Sequence, residues 1–202
     1  MPSQLLEAID TLAGSALAPW KRQVNACLLV SLPRAEPWSV PHAGWHVDLG
    51  RLQNRGVVPG IQLFACLDTV APKGGGTVVV AGSHRVLDDD PWIGPAMKHA
   101  NRLRRLPYFR ELLSTDVTNR DRFVNEPSRI GDVELQVVEL CGEPGDVFLV
   151  DMRVLHNAAP NASRAPRLMV TERFMREDIM KESLAENRAR VEASSLAAEE
   201  RA

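Results

Sequence analysis

From Val24 to Met175 the chain is a succession of short apolar runs, each closed by a turn containing Gly or Pro and none alternating with a helix. That pattern excludes a doubly wound parallel sheet, in which each strand feeds a crossover helix, and points to an antiparallel sandwich or barrel. The runs are Val24 to Leu32, Ile61 to Val70, Thr77 to Ala81, Val133 to Leu140 with one break in its alternation, Val147 to Val150, and Arg167 to Met175. Thirteen Gly and 14 Pro beside an aromatic content of 5% suit many turns between strands more than long packed helices. Pro72-Lys73-Gly74-Gly75-Gly76 reads as a hairpin turn, and Glu143-Pro144-Gly145-Asp146 as a second turn. Gly74-Gly75-Gly76 has neither the spacing of a dinucleotide loop nor the Lys-Ser/Thr of a P-loop.

A length of 202 residues predicts one domain with room for one enclosed site. Residues 1–20 hold an N-terminal helix, with Ser3 as cap and Leu5, Leu6, Ile9, Leu12, Ala13 and Leu17 on its apolar face. Residues 24–175 form the β core, with a helical insertion over about 88–130, and 176–202 form a charged helical tail that suits a monomer or a homodimer. Between 91 and 129 stand seven Arg against four acidic residues, which reads as a solvated helical insertion or, alternatively, a functional lid. A net charge of −2 gives no general pull towards nucleic acid or anionic lipid. No apolar run approaches the ~18 residues of a membrane span, and Glu7 and Asp10 break the N-terminal apolar stretch that a signal peptide would need. Cys27, Cys66 and Cys141 lie in strand-like surroundings that predict buried, reduced thiols, so the expected location is cytoplasmic.

His46 and Asp48 stand two apart in Gly44-Trp45-His46-Val47-Asp48, so an extended backbone projects both to one side. That is either an ordinary surface pair or two corners of a metal site. His156, in Met152-Arg153-Val154-Leu155-His156-Asn157, has apolar neighbours, which fit a satisfied core histidine or a third ligand. Two imidazoles and one carboxylate on one face of a metal are the donors of non-haem Fe(II) oxygenases. Arg167 opens the last strand, and a hairpin would set that strand beside the one carrying His156. Buried there, its planar fork would suit a carboxylate; otherwise it is a surface Arg. His84 reads as a structural hydrogen-bonding residue at a strand end, His42 and His99 have no identifiable partners, and Asp146 and Asp151 read as turn and strand-end residues. Trp45 and Trp92 are pocket or core walls, and Arg153 belongs either to an anionic substrate or to an outward salt bridge.

His46-Val47-Asp48, the stretch Gly74-Gly75-Gly76-Thr77-Val78-Val79-Val80-Ala81-Gly82-Ser83-His84, Gly145 to Asp151, His156 and Arg167 together resemble the phytanoyl-CoA dioxygenase family of Fe(II)- and 2-oxoglutarate-dependent oxygenases. The resemblance spans roughly residues 40 to 175, with Ala81 where Pro is common and a short segment before His46. It implies an all-β core with flanking helices, folded as a double-stranded β-helix (jelly roll, cupin-like). It implies iron held by His46, Asp48 and His156, with 2-oxoglutarate chelating that iron and its far carboxylate on Arg167. Thr77 and Gln62 are further co-substrate contacts. The reaction implied is hydroxylation of a small molecule at an unactivated C–H bond, consuming O2 and releasing succinate and CO2; desaturation also fits, and Asp48 speaks against halogenation. Specificity is expected in residues 33 to 45 and 88 to 130, whose Arg excess favours an anionic substrate. The alternatives are a cupin-like metal-dependent isomerase or a dioxygenase without 2-oxoglutarate, in which Arg167 has no role, and a non-catalytic β-sandwich binding protein.

Overall fold

The computed structural model describes residues 1–19, 26–49, 51–52, 56–88, 94–95, 99–182, 184–185 and 188–189. In chain order the elements are α1 (Ser3–Ala13), β1 (Ala18–Pro19), β2 (Cys27–Ser31), β3 (Arg51–Leu52), β4 (Gly60–Cys66) and β5 (Thr77–Ala81). The insertion follows as α2 (Ser83–Asp88), β6 (Gly94–Pro95), α3 (His99–Leu103), α4 (Pro107–Leu112) and α5 (Arg122–Asn125). The chain then returns through β7 (Ser128–Ile130), β8 (Val133–Glu139), β9 (Val147–Asp151), β10 (His156–Ala158) and β11 (Arg167–Met175).

The apolar runs are strands, but they pair with partners far away in sequence. A five-stranded major sheet runs β1–β11–β4–β9, with β2 also on β11, and a four-stranded minor sheet runs β10–β5–β8–β7. β3 and β6 form a separate two-residue ribbon, and every ladder is antiparallel. Two expected hairpins are therefore absent. The Gly74–Gly76 turn carries the chain from β4 in the major sheet to β5 in the minor one, tied by the Glu139 carboxylate, which accepts from the Lys73 and Gly76 amides at 2.7 and 3.0 Å. Likewise β10 and β11 lie in different sheets, so Arg167 faces His156 across the sandwich instead of lying beside it. The physical reason is burial: β4 and β5 are buried on both faces, and stacking them in opposite sheets covers the inner face of each.

Cross-strand register fixes which side chains face inward. Gln62, Phe64 and Cys66 of β4 share a face with Thr171 and Met169 of β11, and Thr77 and Val79 of β5 share one with Ala158 and His156. Phe64, Cys66, Val79, Val154 and Met169 make the inter-sheet core. Outside the major sheet, α1 buries Ile9 and Ala13 against Ile61, Leu63 and Phe174. Ser3 lies within that helix and does not cap it; Pro2 precedes it without a side-chain cap, and the helix ends at Gly14 (φ +66) rather than at Leu17. Leu17 still reaches the same apolar patch, its amide bonded to Asp10 Oδ1 at 2.9 Å.

The insertion is not a solvated outgrowth. Tyr108, Phe109, Leu112 and Phe123 pack on Val78, Val80, Leu135 and Val137, covering the outer face of the minor sheet. Residues 177–182 are helical and bury Met180 in that same layer, so the start of the tail is docked. Val24, Trp92 and the tail from 190 onward lie outside the described residues. Cys66 is buried as expected, but Cys27 is exposed because β2 is an edge strand, and Cys141 is half-buried; none of the three is in a disulfide. No helix among the described residues is long and apolar enough to cross a membrane.

Candidate metal and co-substrate site

Residues 45 to 49 alternate as an extended segment should. Trp45, Val47 and Leu49 are buried in the layer formed with the insertion, while His46 and Asp48 face the opposite way. A reciprocal bridge joins His46 to His156, N–H to carbonyl, at 3.0 and 2.9 Å, so two turns of chain distant in sequence present their imidazoles side by side, ring centroids 4.4 Å apart. His46 Nε2 lies 3.6 Å from Asp48 Oδ1 and His156 Nε2 lies 3.8 Å from Asp48 Oδ2. One donor atom from each of the three residues falls within 4.8 Å of the others.

The neighbours of both rings fix which nitrogen donates. His46 Nδ1 is 2.8 Å from the Gly44 carbonyl and His156 Nδ1 is 3.1 Å from the Val154 carbonyl. A carbonyl only accepts, so each Nδ1 carries a proton, and in the neutral ring Nε2 is the nitrogen left with a lone pair. Burial holds the His156 pKa below its ordinary 6.5, and the facing His46 lowers it further against the opposing pull of Asp48. Neutral imidazole is the ligating form. Gly44 makes the His46 contact possible: its φ is +87, and a Cβ there would meet the Asn157 side chain at 2.9 Å. Gln62 Nε2 donates to Asp48 Oδ2 at 2.7 Å and approaches Thr171 Oγ1 at 3.2 Å, which fixes the carboxylate plane.

Arg167 is buried, with 4% of its surface exposed, on the inner face of β11. Its Nε donates to the Gly75 carbonyl at 2.6 Å and Nη1 to the Leu29 carbonyl at 3.2 Å. Those two bonds use part of the guanidinium fork, and among the described residues no carboxylate is ion-paired with it. Burial shifts its pKa downward, with Cys66 and Glu139 opposing. Gly75 approaches closely enough to accept because it lacks a side chain: at φ +81, a Cβ would lie 2.7 Å from Asn161 Cβ and 2.8 Å from Ser31 Oγ.

His46, Asp48, Gln62, Thr77, His156 and Arg167 all line one cavity of about 370 Å³ between the sheets. Every residue singled out from the sequence as a ligand or co-substrate contact is thus in one place, although Gln62 touches Asp48. An outer cleft of about 740 Å³ adjoins it, lined by 30–34, 39–43 and 158–160, with Val30 and Ala158 common to both. Residues 33–45 therefore contribute to the cleft as expected, whereas no described residue of 88–130 lines either space.

Several structural residues escaped sequence reasoning. Ser83 Oγ accepts the Leu155 amide at 2.9 Å, anchoring the approach to His156, and it lies inside the Gly-Ser-His stretch that carried the resemblance. Fully buried Asn161 donates to the Ser31 and Ala165 carbonyls, both at 2.9 Å, and ties the crossover that delivers Arg167. Arg153 pairs with Asp151 through Nη2 at 2.7 Å, and both side chains are buried or nearly so, so this salt bridge is not an outward one. Trp45 is a core wall, its indole N–H bonded to the Pro41 carbonyl at 2.8 Å. His84 lies half-buried at the start of α2.

Residues 4–169 match the family model for phytanoyl-CoA dioxygenase (PhyH). The chain belongs to the phytanoyl-CoA dioxygenase family. Members of the family are Fe(II)- and 2-oxoglutarate-dependent non-haem oxygenases, and the donor set of two locked imidazoles and a carboxylate fits such an iron. Among solved structures the fold resembles AviO1 from Streptomyces viridochromogenes Tue57, at 20% identity and a TM-score of 0.53 over 87% of this chain and 58% of that one. It also resembles the non-heme alpha ketoglutarate dependent carbocyclase SnoK from nogalamycin biosynthesis, at 20% identity and 0.51 over 82% and 52%. The epimerase SnoN, solved with Fe3+, alpha ketoglutarate and nogalamycin RO, aligns at 20% identity and 0.50 over 85% and 55%. The jelly-roll architecture is common to all, and this chain spans little more than half the length of those structures. No curated protein sequence matches it.

Proposed function

We propose that the chain is the catalytic core of an Fe(II)- and 2-oxoglutarate-dependent dioxygenase that oxidises a small molecule, with His46, Asp48 and His156 as iron ligands. The observation that carries this reading is the pair of Nδ1–carbonyl contacts, which leaves two Nε2 lone pairs and a carboxylate oxygen converging within 4.8 Å. Arg167 would take the far carboxylate of 2-oxoglutarate through the N–H groups that Gly75 and Leu29 do not use, with Thr77 beside it. Gln62 keeps Asp48 in the ligating orientation, acting on the carboxylate and not on the co-substrate. Iron and 2-oxoglutarate bound together supply O2 activation, with succinate and CO2 released and one C–H bond oxidised.

Hydroxylation is the default outcome, while the epimerase and the carbocyclase among similar structures widen the range of oxidations this fold supports. The inner cavity is sized for the metal and 2-oxoglutarate; the outer cleft lies within the roughly 300–1,000 Å³ of sites for larger ligands and suits the substrate. Arg34 and His42 line that cleft and no acidic residue does, which favours a substrate bearing an anionic group. The described arginines of the insertion do not carry that preference, since none of them lines the cleft or the inner cavity.

Anaerobic addition of Fe(II) and then 2-oxoglutarate should produce the weak visible charge-transfer band of the chelate. Iron binding without the band would favour a cupin-like enzyme that does not use 2-oxoglutarate. Absence of iron binding by the folded wild type, or unchanged iron affinity in His156→Ala, would overturn the assignment of the ligands.

A further inference from the structure

Arg120 is the most heavily committed buried cation among the described residues that has no acidic partner. Its guanidinium donates to four backbone carbonyls: Val40 through Nε, Pro41 and Leu112 through Nη2 at 2.9 and 2.6 Å, and Ser114 through Nη1 at 3.0 Å. It also stacks over the Phe123 ring, 5.4 Å from the centroid. Two of those carbonyls belong to the end of α4 and the turn after it; the other two belong to the segment that leads into Trp45-His46-Val47-Asp48.

That segment has little else to hold its backbone. Its one ladder contact among the described residues is the His46–His156 bridge. It is fixed instead by its outward side chains, Trp45, Val47 and Leu49, buried against the layer that includes Phe109, Leu112 and Phe123. Around Arg120 further ties converge: Trp45 Nε1 donates to the Pro41 carbonyl, which Arg120 also holds, and Asn157 Nδ2 donates to the Ala43 carbonyl at 2.6 Å. Since inward and outward residues alternate along one extended strand, any shift of Trp45 and Val47 on the insertion moves His46 and Asp48 by the same amount.

We infer that Arg120 is a positioning residue for the metal centre, and that the helical insertion serves as the platform on which the His46–Asp48 segment is set. A guanidinium is suited to this because its planar fork reaches acceptors on both segments at once, whereas a point charge cannot. The inference rests on His46, Asp48 and His156 being the iron ligands.

The test compares wild type, Arg120→Met, Arg120→Lys, Arg120→Ala and Ile9→Ala, the last removing packing on the far side of the major sheet. Anaerobic Fe(II) titration gives the affinity, the charge-transfer band with 2-oxoglutarate reports the coordination sphere, and thermal unfolding reports stability. Arg120→Met should lose about 10- to 100-fold in iron affinity, the range for groups that orient ligands, and shift or weaken the band. Arg120→Lys should fall between it and wild type. Ile9→Ala should unfold at lower temperature with iron affinity unchanged, which separates positioning from general destabilisation. Guanidinium ion at low millimolar concentration should restore iron binding to Arg120→Ala, and urea should not. Wild-type iron affinity and band in Arg120→Met overturn the inference, and if that variant does not fold, wild-type iron affinity in Arg120→Lys does so. Failure of the wild type itself to bind iron would instead refute the ligand assignment.

Discussion

Replacing Arg167 with Leu separates the two functions assigned to the cavity. Two charge-assisted hydrogen bonds from the guanidinium to a carboxylate, at roughly 1.5–3 kcal/mol each, amount to about 3–6 kcal/mol. At about 1.4 kcal/mol per decade, 2-oxoglutarate should bind roughly two to four decades more weakly. Iron affinity in the absence of 2-oxoglutarate should stay at the wild-type value, since Arg167 supplies no ligand. The fold has its own cost: the Gly75 and Leu29 carbonyls lose their donor, at roughly 1–3 kcal/mol for each group left buried and unpaired. Binding is therefore measured by anaerobic titration of the charge-transfer band well below the unfolding midpoint, with iron affinity determined separately on the same sample. Arg167→Lys should recover only part of the loss, because an ammonium cannot replace a planar fork already held by two carbonyls. Equal losses of iron and 2-oxoglutarate affinity in Arg167→Leu, or 2-oxoglutarate affinity like that of the wild type, would refute the assigned role.

Gln62→Leu removes the donor to Asp48 and should weaken iron binding about 10-fold, at the low end for such orienting groups, while Gln62→Glu should weaken it more by placing a second carboxylate against the first; iron titration checks both. Gly75→Ala puts a Cβ at φ +81 against Asn161 and Ser31, so it should destabilise the fold by about 1–3 kcal/mol in denaturant unfolding and weaken 2-oxoglutarate through Arg167. The depressed pKa of buried His156 means that the unfolded chain binds its proton more readily. The metal-free protein should therefore lose stability as pH falls below about 6.5, and His156→Gln should flatten that part of the profile.

The strands were legible where period and length spoke together. Thr77–Ala81, Val147–Asp151 and Arg167–Met175 stand where the apolar runs put them, within a residue at the ends. Their pairing was not legible. A turn of three glycines looks the same whether it reverses a chain within one sheet or lifts it into the next, and Gly74–Gly76 does the second. Capping was misread for a similar reason: Ser3 suits a cap by type, but Pro2 already holds the extended backbone at that position.

The same division holds for the site. The sequence by itself singled out the candidate donors, because His46, Asp48 and His156 are the residue types an iron site needs and because the motif order, Arg167 included, resembles a known family. Only the tertiary structure decided how those donors are oriented. That Gln62 grips Asp48, that Arg167 faces His156 across the sandwich, and that Arg120 fixes the ligand segment to an insertion lining neither cavity all depend on contacts between residues dozens of positions apart. Such contacts are set by which apolar faces must be buried together, and a buried Arg bound to carbonyls has the same letter in the sequence as one bound to solvent.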